Sequence, residues 1–350
     1  MNILYLTNEL NHADGVTVHL YNLIRELKNK YKINISIICG GGNATDKFKD
    51  ICSELIVNRT INHSSRNLKN FASAILYVYK FARSYKTDII HSHNHYASNI
   101  AYRSSKFCGA KTIQTIHGII PEGGRLEHLS GDNFIAVNDH ICKSVKPKLR
   151  IEKKIELIYN GLEFKEIKRR ERDKLMFIAA SRLEPGKGLS TYIEAVSRLP
   201  REYRDRGEFI LAGEGSLENE LKNLNQKKGT GIIFPGMIRD TSKMFEVTDV
   251  FVIPSESEGL PMSMLEAIAS GNSIISSDFD GVESIITDGS DGTLFRMNDS
   301  DSLKEKLMEA IDNPGKLRIY SSALLKKAKV KFSISEMGLK HINFYKRILA

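Results

Sequence analysis

Short apolar runs alternate with amphipathic stretches along most of the chain. Residues 2–7, NILYLT, are typical of a buried strand, and residues 17–31, TVHLYNLIRELKNKY, follow shortly after. The second stretch repeats apolar side chains every three or four positions, which predicts a helix with one buried face. Strands that alternate with helices in this way form parallel sheets covered by helices, so the pattern predicts an α/β protein.

The alternation occurs twice, and a charged segment separates the two occurrences. The first ends with IYNG at residue 161, and residues 162–174, LEFKEIKRRERDK, lead to a new apolar run, LMFIAASRL. We therefore predict two doubly wound units in tandem, residues 1–161 and 162–332. Residues 333–350 have helical periodicity with no strand after them, so this helix is expected to pack back on the N-terminal domain.

Parallel α/β sheets bind ligands at the carboxyl ends of their strands. In the second unit the apolar runs include VFVIPS at 250–255, GIIFPG at 231–236 and ESIITD at 283–288, and helices are predicted at 188–199, 216–228 and 262–270. Two such units facing each other would enclose a deep cleft. Functional residues are therefore expected in loops that directly follow strands.

The net charge of +9 lies entirely in the first part of the chain. Residues 1–160 hold 22 Lys and Arg against 13 Asp and Glu, whereas the remaining residues hold 29 of each. Such a surface is either an ordinary solvated face or an attachment site for an anionic partner, such as a membrane rich in acidic lipid. Nucleic acid would fit the charge equally well, but no nucleic-acid-binding motif accompanies it.

The remaining composition predicts a cytoplasmic globular protein. Hydrophobic residues make up 41% of the chain and charged residues 27%, which is ordinary for a folded domain. The first residues, MNILYLTNEL, lack the features of a secretion signal, and no apolar stretch approaches the roughly 20 residues that span a bilayer. The four cysteines include no CxxC pair, which indicates reduced thiols.

Two glutamates lie where a predicted strand leads into a helix. The loop ESEG follows VFVIPS, and Pro261 suits the first turn of the helix MSMLEAIAS because its missing N–H would be unpaired there in any case. Glu258 lies just before this helix and Glu266 about one turn inside it. The two carboxylates could bind hydroxyl groups of a ligand whose anionic part contacts the helix start. Alternatively, they only stabilise their own helix.

The segment PSESEGLPMSMLEAIASGNSIISSDFDGVESIITDGSDGTLF resembles the signature of the retaining glycosyltransferases of family 4. The hallmark of that family is two glutamates separated by seven residues, which Glu258 and Glu266 match. ASRLEPGKGL, LAGEGSLENEL and FPGMI agree with further family motifs in the same order. The resemblance implies an α/β protein of the GT-B fold, with two tandem Rossmann-like doubly wound domains facing across a deep cleft.

The resemblance implies a role for each matching residue of the second, donor-binding domain. Glu266 would bind the ribose of a nucleotide-sugar and Glu258 the transferred sugar, while Arg182 and Lys187 would pair with the diphosphate. Cations placed there stabilise the charge that develops on the leaving group as the glycosidic bond breaks. The other positions implied to contact the donor are Glu214, Met237, Ile238, Gly259, Leu260 and Pro261. For Arg182, Lys187 and Glu214, ordinary surface charge is the alternative.

In the first, acceptor-binding domain the resemblance points to Gly15 and His117. NHADGVTVHLYNLI is similar to the family's glycine loop, in which Gly15 would let backbone N–H groups approach the phosphates or the transferred sugar. Asp14 stands where a second glycine is more usual. Because an acid is unfavourable beside a diphosphate, Asp14 is expected to face the acceptor. His117, in TIHG, would face the transferred sugar, unless it is a buried structural histidine.

The stretch HSHNHY raises the alternative of a metal site. His91, His93 and His95 lie two positions apart after a predicted strand, so they could lie on one side of the chain. The family commonly has two histidines here and no metal, and no fourth ligand is evident, so no metal site is predicted. CGGG at residues 39–42 lacks the GxGxxG pattern of a dinucleotide site, which disfavours a nicotinamide-dependent dehydrogenase.

The resulting hypothesis is a retaining hexosyltransferase of bacterial surface polysaccharide or glycolipid synthesis. It would move a sugar from a nucleotide-sugar, uridine-linked rather than guanosine-linked, to a hydroxyl acceptor. The nucleotide-sugar is a co-substrate, and no cofactor or metal is implied. The expected partners are the donor, an acceptor on a lipid-linked sugar and the anionic inner face of the membrane; nucleic acid is not expected. The alternatives are a GT-B nucleotide-sugar epimerase or hydrolase and a non-catalytic nucleotide-sugar-binding subunit.

Overall fold

The computed structural model describes residues 1–12, 14–120, 129–150, 152–164 and 173–350. The chain divides into two compact units, of which the first comprises Met1–Gly161 and Ile334–Ala350 and the second comprises Leu162–Ser333. Most of the charged connector, residues 165–172, lies outside the described residues. Among the described helices, none combines the length and the apolar character needed to cross a lipid bilayer.

Strands and helices alternate in both units, within the residues that the structure describes. The strands are β1 (Asn2–Thr7), β2 (Asn34–Cys39), β3 (Glu54–Val57), β4 (Ile89–Ser92), β5 (Lys111–Ile116), β6 (Asn133–Ala136), β7 (Lys154–Leu157), β8 (Leu175–Ala180), β9 (Gly207–Ala212), β10 (Val250–Ile253), β11 (Ser273–Ser277) and β12 (Thr293–Phe295). The helices are α1 (Gly15–Tyr31), α2 (Leu68–Ser84), α3 (His95–Cys108), α4 (Asp139–Val145), α5 (Leu189–Ser197), α6 (Arg201–Arg206), α7 (Glu218–Lys228), α8 (Thr241–Val247), α9 (Met262–Ala269), α10 (Ser300–Asp312), α11 (Pro314–Lys331) and α12 (Ile334–Leu349).

The first sheet is parallel and doubly wound, with the strand order β3-β2-β1-β4-β5-β6-β7 among the described residues. β1 pairs with β2 on one side, where Asn2 is opposite Asn34, and with β4 on the other, where Ile3 is opposite Ile89. The strand order reverses between β1 and β4. This is the switch point at which ligands bind in sheets of this topology.

Side chains of β1 alternate between the two faces of the first sheet, as the period of two in a strand requires. Ile3 and Tyr5 belong to a core that includes side chains of α1 and α12. Leu4 and Leu6 belong to a second core with side chains of α2 and α3. All four are almost fully buried, and each contributes on the order of 1.5–3 kcal/mol by leaving water. Helices on both faces therefore explain the nearly continuous apolar character of this strand.

The C-terminal helix α12 packs in the first unit, beside α1. Phe344 and Tyr345 are buried in the same core as Tyr5, and the Tyr345 and Tyr5 hydroxyls share a hydrogen bond of 2.9 Å. At Gly338 a Cβ atom would lie only 2.6 Å from Cγ of Glu26 on α1. The small residue thus lets the two helices approach closely.

Asparagine side chains begin two helices that directly follow strands of the first sheet. The Asn94 side-chain oxygen accepts from the Ala97 amide at 3.2 Å, and that of Asn138 accepts from the Ile141 amide at 2.7 Å. Each bond satisfies one of the backbone donors that a helix start leaves unpaired, which is worth about 1 kcal/mol. Short strand-to-helix connections of this kind hold the carboxyl edge of the sheet in a defined conformation.

The second sheet is also parallel, with the described order β12-β11-β10-β8-β9. Phe177 and Ala179 of β8 belong to a core that includes side chains of α5, α7 and α10, and α9 packs against β10, β11 and α11. The strand order reverses between β8 and β10, so the switch point of this sheet lies at the carboxyl ends of these two strands.

Two apolar runs of the second unit differ from the expected strands. GIIFPG contributes only a parallel bridge between Ile233 and Ile210 at the edge of the sheet. Gly231 and Gly236 have φ values of +74° and +75°, and Pro235 has no N–H to donate to a neighbouring strand, so no regular strand forms here. ESIITD begins inside a 3-10 turn at Val282–Ser284, which follows Gly281 with a φ of +95°.

Candidate active site

Two loops meet at the switch point of the second sheet. Residues 181–188 follow β8 and residues 254–261 follow β10, and the Glu256 amide donates to the Gly186 carbonyl at 2.9 Å. Gly188 has a φ of +60°, and a Cβ atom there would lie 1.8 Å from the Pro254 carbonyl oxygen. Only glycine permits both this conformation and this approach. The two loops therefore support each other at the position where the sequence predicted the donor site.

Lys187 and Glu258 form an ion pair across these loops, with Nζ 2.6 Å from Oε1. Their side chains are only 19% and 17% exposed, so solvent screens this pair less than a surface pair. The ammonium retains further donors and the carboxylate further acceptors, which are available to a ligand. Removal of either partner would leave a half-buried charge unpaired, which favours the paired state. The ion pair therefore also holds the two loops together.

Arg182 begins the first of these loops, and its side chain is exposed. The neighbouring Glu184 carboxylate accepts from the Ser216 amide at 3.0 Å and from the Ser216 hydroxyl at 2.6 Å. These hydrogen bonds lower the pKa of Glu184, and Arg182 adds a smaller effect. Glu184 therefore serves the loop structure, whereas the Arg182 guanidinium faces solvent at the same edge of the sheet.

Glu266 lies on α9, which begins after Pro261. Burial raises its pKa to about 7, so both protonation states of the carboxyl group occur near neutral pH. Gly259, Leu260 and Pro261 are buried between Glu258 and this helix. A carboxyl group withdrawn from water at the edge of a sheet is the kind of group that functional sites contain.

The three remaining predicted donor residues lie on two loops beyond β9. The Gly213 amide donates to the Gly236 carbonyl at 2.9 Å, which places the loop of Glu214 beside Met237 and Ile238. A Cβ atom at Gly236 would lie 3.9 Å from Oε1 of Glu214. Glu214 and Met237 are exposed, and Ile238 is half-buried. The structure thus groups these residues at the carboxyl edge of the second sheet.

Gly15 and His117 lie in the first unit, at the carboxyl edge of its sheet. Gly15 is the exposed first residue of α1, and His117 directly follows β5. Nε2 of His117 and Nδ1 of His93 share a hydrogen bond of 3.0 Å. Burial lowers the pKa of His117 to about 3, so its ring is neutral at pH 7. A neutral imidazole suits hydrogen bonding to a hydroxyl group rather than charge neutralisation.

Two histidines that were not predicted as site residues of this edge accompany His117. The ring centroids of His19 and His93 lie 4.9 Å and 5.3 Å from that of His117. His19 occupies the buried face of α1, where the helical period favours an apolar side chain. A polar side chain at such a position is a sequence signal for a functional residue, but a structural histidine would give the same signal.

The three histidines of HSHNHY do not form a cluster of their own. His95 is exposed at the start of α3. His91 is buried, with Nδ1 2.7 Å from the Tyr345 hydroxyl and Nε2 2.7 Å from the Thr115 hydroxyl. Of the three, only His93 joins His19 and His117. The spacing of two therefore predicted the contact between His91 and His93, whose ring centroids lie 4.4 Å apart, but not the contacts of His93 with His19 and His117.

Comparison with known families covers nearly the whole chain. The model of Glycosyl transferases group 1 matches residues 162–328, and that of Glycosyltransferase Family 4 matches residues 13–166. Together with the two doubly wound units, these matches show that the chain belongs to the group 1, family 4 glycosyltransferases. It is a transferase enzyme with the GT-B fold.

Two proteins and one solved structure are among those that this chain resembles. The N,N'-diacetylbacillosaminyl-diphospho-undecaprenol alpha-1,3-N-acetylgalactosaminyltransferase of Campylobacter jejuni is 25% identical over 382 aligned positions, covering 97% of this chain and 98% of that protein. The UDP-Gal:alpha-D-GlcNAc-diphosphoundecaprenol alpha-1,3-galactosyltransferase of Escherichia coli is 24% identical over 323 positions, 82% of each. The crystal structure of Anabaena Alr3699/HepE with UDP and glucose has a TM-score of 0.84 at 17% identity, covering 98% of this chain and 99% of that one, which shows a shared fold.

Proposed function

We propose that this glycosyltransferase moves a sugar from a UDP-linked donor to a hydroxyl group of a lipid-diphosphate-linked glycan, with retention of anomeric configuration. The observation that carries the donor assignment is the arrangement of Arg182, the Lys187–Glu258 pair and Glu266 around one switch point. The name of the Escherichia coli relative specifies a UDP-sugar, and both relatives named above act on undecaprenol-diphosphate-linked sugars. These names support the donor and acceptor classes proposed for this chain.

The charged groups of the second unit match the parts of a nucleotide-sugar. Arg182 and Lys187 bind the diphosphate, because cations stabilise the negative charge of a departing nucleotide diphosphate. Glu258 accepts hydrogen bonds from hydroxyl groups of the transferred sugar, and Glu266 accepts them from the ribose. Gly259, Leu260 and Pro261 form the helix start beside the phosphates. Met237 and Ile238 contact the base, with Glu214 beside them.

The first unit contributes uncharged groups to the site and binds the acceptor. Gly15 allows a close backbone approach to the sugar or phosphates, and the neutral His117 ring hydrogen-bonds a sugar hydroxyl. In the transfer step the bond between the anomeric carbon and the β-phosphate oxygen breaks, and a bond to the acceptor oxygen forms on the same face. The acceptor proton passes to the departing phosphate oxygen. Positioning and charge stabilisation then account for the catalysis, with no general base supplied by the protein.

A basic cleft of about 910 Å³ supports association with an anionic membrane. It lies in the first unit at the amino edge of the sheet, beside the first residues of β5, β6 and β7. Two acidic and seven basic side chains line it, the basic ones being Lys106, Lys111, Lys148, Arg150, Lys153, Lys154 and Arg347. Each basic side chain near an anionic bilayer contributes about 1 kcal/mol of attraction at low salt. We propose that this face contacts the membrane that carries the acceptor.

A donor panel with product analysis tests the proposed reaction. The protein is incubated with UDP- and GDP-linked sugars and a short-chain lipid-diphosphate-linked sugar, and the product anomer is determined by NMR. We expect transfer from a UDP-sugar with retained configuration. An inverted product would refute retention, transfer from GDP-sugars alone would refute the donor assignment, and turnover without acceptor would favour an epimerase or hydrolase.

A glutamine substitution pair distinguishes a site role from ordinary surface charge. Glu258→Gln removes the charge that pairs with Lys187, whereas Glu256→Gln alters an exposed neighbour two residues earlier. We expect kcat/KM to fall on the order of 30-fold for Glu258→Gln, as for loss of a charge-assisted hydrogen bond, and to stay within about twofold for Glu256→Gln. Equal effects of the two changes would contradict the assignment.

Vesicle co-sedimentation tests the membrane face. Binding to phosphatidylglycerol vesicles should weaken with salt and with the triple change of Lys148, Arg150 and Lys154 to Gln, while phosphatidylcholine vesicles bind little. The matched control changes the exposed Lys227, Lys243 and Lys329 of the second unit to Gln. Salt-insensitive binding, or equal losses in the two triple variants, would remove this part of the proposal.

A further inference from the structure

Five histidines gather in the first unit at the carboxyl edge of its sheet. His19, His91, His93 and His341 are at most 2% exposed, and His117 is half-buried. Ring-centroid distances of 4.4–6.1 Å connect them. The catalytic roles proposed above use only His117. The other four are polar side chains buried in a core, where such groups normally have hydrogen-bond partners.

Hydrogen bonds within the core satisfy both ring nitrogens of His91 and one ring nitrogen of His341. His91 uses both ring nitrogens, with the Tyr345 and Thr115 hydroxyls each at 2.7 Å. His341 Nδ1–H donates to the Met337 carbonyl at 2.8 Å, one turn earlier in α12. The contact between His91 and Tyr345 anchors α12 to the first sheet, whereas the contact of His341 lies within α12 and leaves its Nε2 without a partner among the described residues. His19, His93 and His117 form a group of three because one ligand atom from each lies within 4.8 Å of the others.

Two of the remaining three, His19 and His93, have buried ring nitrogens that point to a missing ligand. Neither ring nitrogen of His19 meets standard hydrogen-bond geometry, although the Asn160 side chain is near enough to act as a weak hydrogen-bond partner, and Nε2 of His93 has no partner within the described residues. A buried polar atom without a partner costs about 1–3 kcal/mol. His93 Nδ1 and His117 Nε2 bond only to each other, at 3.0 Å. One ligand atom from each of the three rings lies within 4.8 Å of the others.

We propose that His19, His93 and His117 bind one Zn²⁺ ion, with the fourth coordination position open. A tetrahedral zinc with Zn–N bonds of about 2.0–2.1 Å places its ligand atoms about 3.3 Å apart. The His93–His117 distance of 3.0 Å is already close to this value. A ring nitrogen of His19 lies within 4.8 Å of a ring nitrogen of each of the other two histidines, so His19 has to move closer to complete the shell.

The chemistry of the three ligands favours zinc or a similar transition-metal ion. All three proposed ligands are imidazoles, which bind metal in their neutral form. A set of imidazoles selects zinc, copper or nickel, whereas Mg²⁺ and Ca²⁺ require oxygen ligands.

Zinc at this site should inhibit the transferase, a consequence that depends on the function proposed above. Metal binding would turn the His117 ring toward the ion and away from the sugar hydroxyl, so that occupancy and transfer exclude each other. The transfer step itself still requires no metal. The site would thus make the enzyme sensitive to free zinc.

Metal binding is measured first, independently of activity. Protein freed of metal with EDTA is titrated with Zn²⁺ against a chromophoric chelator, and Co²⁺ is substituted to report tetrahedral coordination by its absorption spectrum. We expect one ion per chain. His19→Ala and His117→Ala should each weaken binding at least about 100-fold, whereas the exposed His95→Ala should change it less than about twofold.

Different results would overturn the site. No competition with the chelator, unchanged affinity in both ligand variants, or an equal loss in His95→Ala would each refute it. His117 is half-buried on a loop, so His117→Ala remains informative if His19→Ala does not fold, as judged by thermal unfolding. If no donor supports transfer, the proposed function fails, but the zinc titration still decides the metal site.

Inhibition is measured second. Saturating zinc should lower transfer by the wild-type protein at least about tenfold, EDTA should restore it, and the residual activity of His19→Ala should resist zinc. Zinc inhibition of equal strength in wild-type and His19→Ala protein would assign the effect to another site and refute the consequence for catalysis.

Discussion

The carboxyl edges of the two sheets carry opposite kinds of chemistry. In the first unit, His19, His93 and His117 are withdrawn from water, uncharged and in contact with each other. In the second, Lys187 and Glu258 hold opposite charges 2.6 Å apart. Both sheets are parallel and doubly wound, so the topology alone does not choose between the two.

The two edges differ in whether a buried titratable side chain has an opposite charge beside it. An imidazole that is buried without an opposite charge loses its proton, because the protein interior penalises the charged form. Lys187 and Glu258 lie 2.6 Å apart, so each partner compensates the charge of the other, and some solvent reaches both. Diphosphate recognition therefore fits the second edge, and recognition of neutral hydroxyl groups or of a metal ion fits the first.

The largest effect on transfer is expected from Lys187→Ala. The change removes a cation from the proposed diphosphate site and leaves Glu258 half-buried without its partner. We expect kcat to fall by about 10²–10³-fold, as for loss of one preorganised transition-state donor. Steady-state rates with the best UDP-sugar provide the measurement, and Lys243→Ala, at an exposed position of α8, provides the control. A Lys187→Ala enzyme with normal kcat would remove the functional distinction between the two edges.

A smaller effect, with a defined pH dependence, is expected from Glu266→Gln. Burial raises the pKa of Glu266 from 4.5 to about 7, and the carboxylate accepts ribose hydroxyls better than the acid does. Wild-type affinity for UDP should therefore increase as the pH rises through 7. The variant should bind about tenfold more weakly at pH 8 and nearly equally at pH 5.5. Calorimetric titration at both values tests this, with the exposed Glu305→Gln as control.

Glu266→Gln should increase the stability of the folded protein, although it weakens UDP binding. Between pH 4.5 and 7 the unfolded chain releases the Glu266 proton before the folded chain does, so wild-type stability falls over this range. Glu266→Gln lacks that loss and should gain about 1–3 kcal/mol relative to wild type between pH 5 and pH 8. Parallel pH profiles of the free energy of unfolding in the two proteins would contradict the burial of this carboxyl group.

The smallest effect on transfer is expected from Tyr345→Phe. The hydroxyl of Tyr345 bonds Tyr5 at 2.9 Å and His91 at 2.7 Å, both in the structural part of the histidine cluster. Its loss should cost about 1–3 kcal/mol of stability by leaving buried groups unpaired. UDP binding should stay within about twofold of wild type, as measured by denaturant unfolding and calorimetry. Tyr77→Phe, at an exposed position of α2, should change neither, and a large loss of UDP affinity in Tyr345→Phe would show that the two edges are coupled.

Much of the fold was predictable because parallel sheets leave a strong pattern in the sequence. Strands buried on both faces, such as β1, are nearly continuous apolar runs, and helices such as α1 repeat with the helical period. The alternation restarts after Gly161, and the compact units divide between Gly161 and Leu162. GIIFPG and ESIITD were misread because local glycine and proline geometry overrides apolar content. Helix α3 was not recognised, although Asn94 and Gly109 begin and end it.

The residues of the second edge were predictable for a different reason. Arg182, Lys187, Glu258 and Glu266 stand at family spacings, and the strands β8 and β10 place their loops side by side. His19 and His93 were not predicted as companions of His117. The three lie in α1 and directly after β4 and β5, and these elements come together only when the sheet forms. The pairing of Lys187 with Glu258 was likewise not evident from their separation in sequence.

The sequence alone determined the α/β class, the tandem units, the uneven charge and the family, because local sequence patterns are enough to recognise each of them. Tertiary structure decided which side chains meet and which are deprived of water. Those two properties set the neutral state of the histidines, the pairing of Lys187 with Glu258 and the raised pKa of Glu266. The solvation of a side chain depends on all the atoms that pack around it, so it cannot be predicted from a single stretch of sequence.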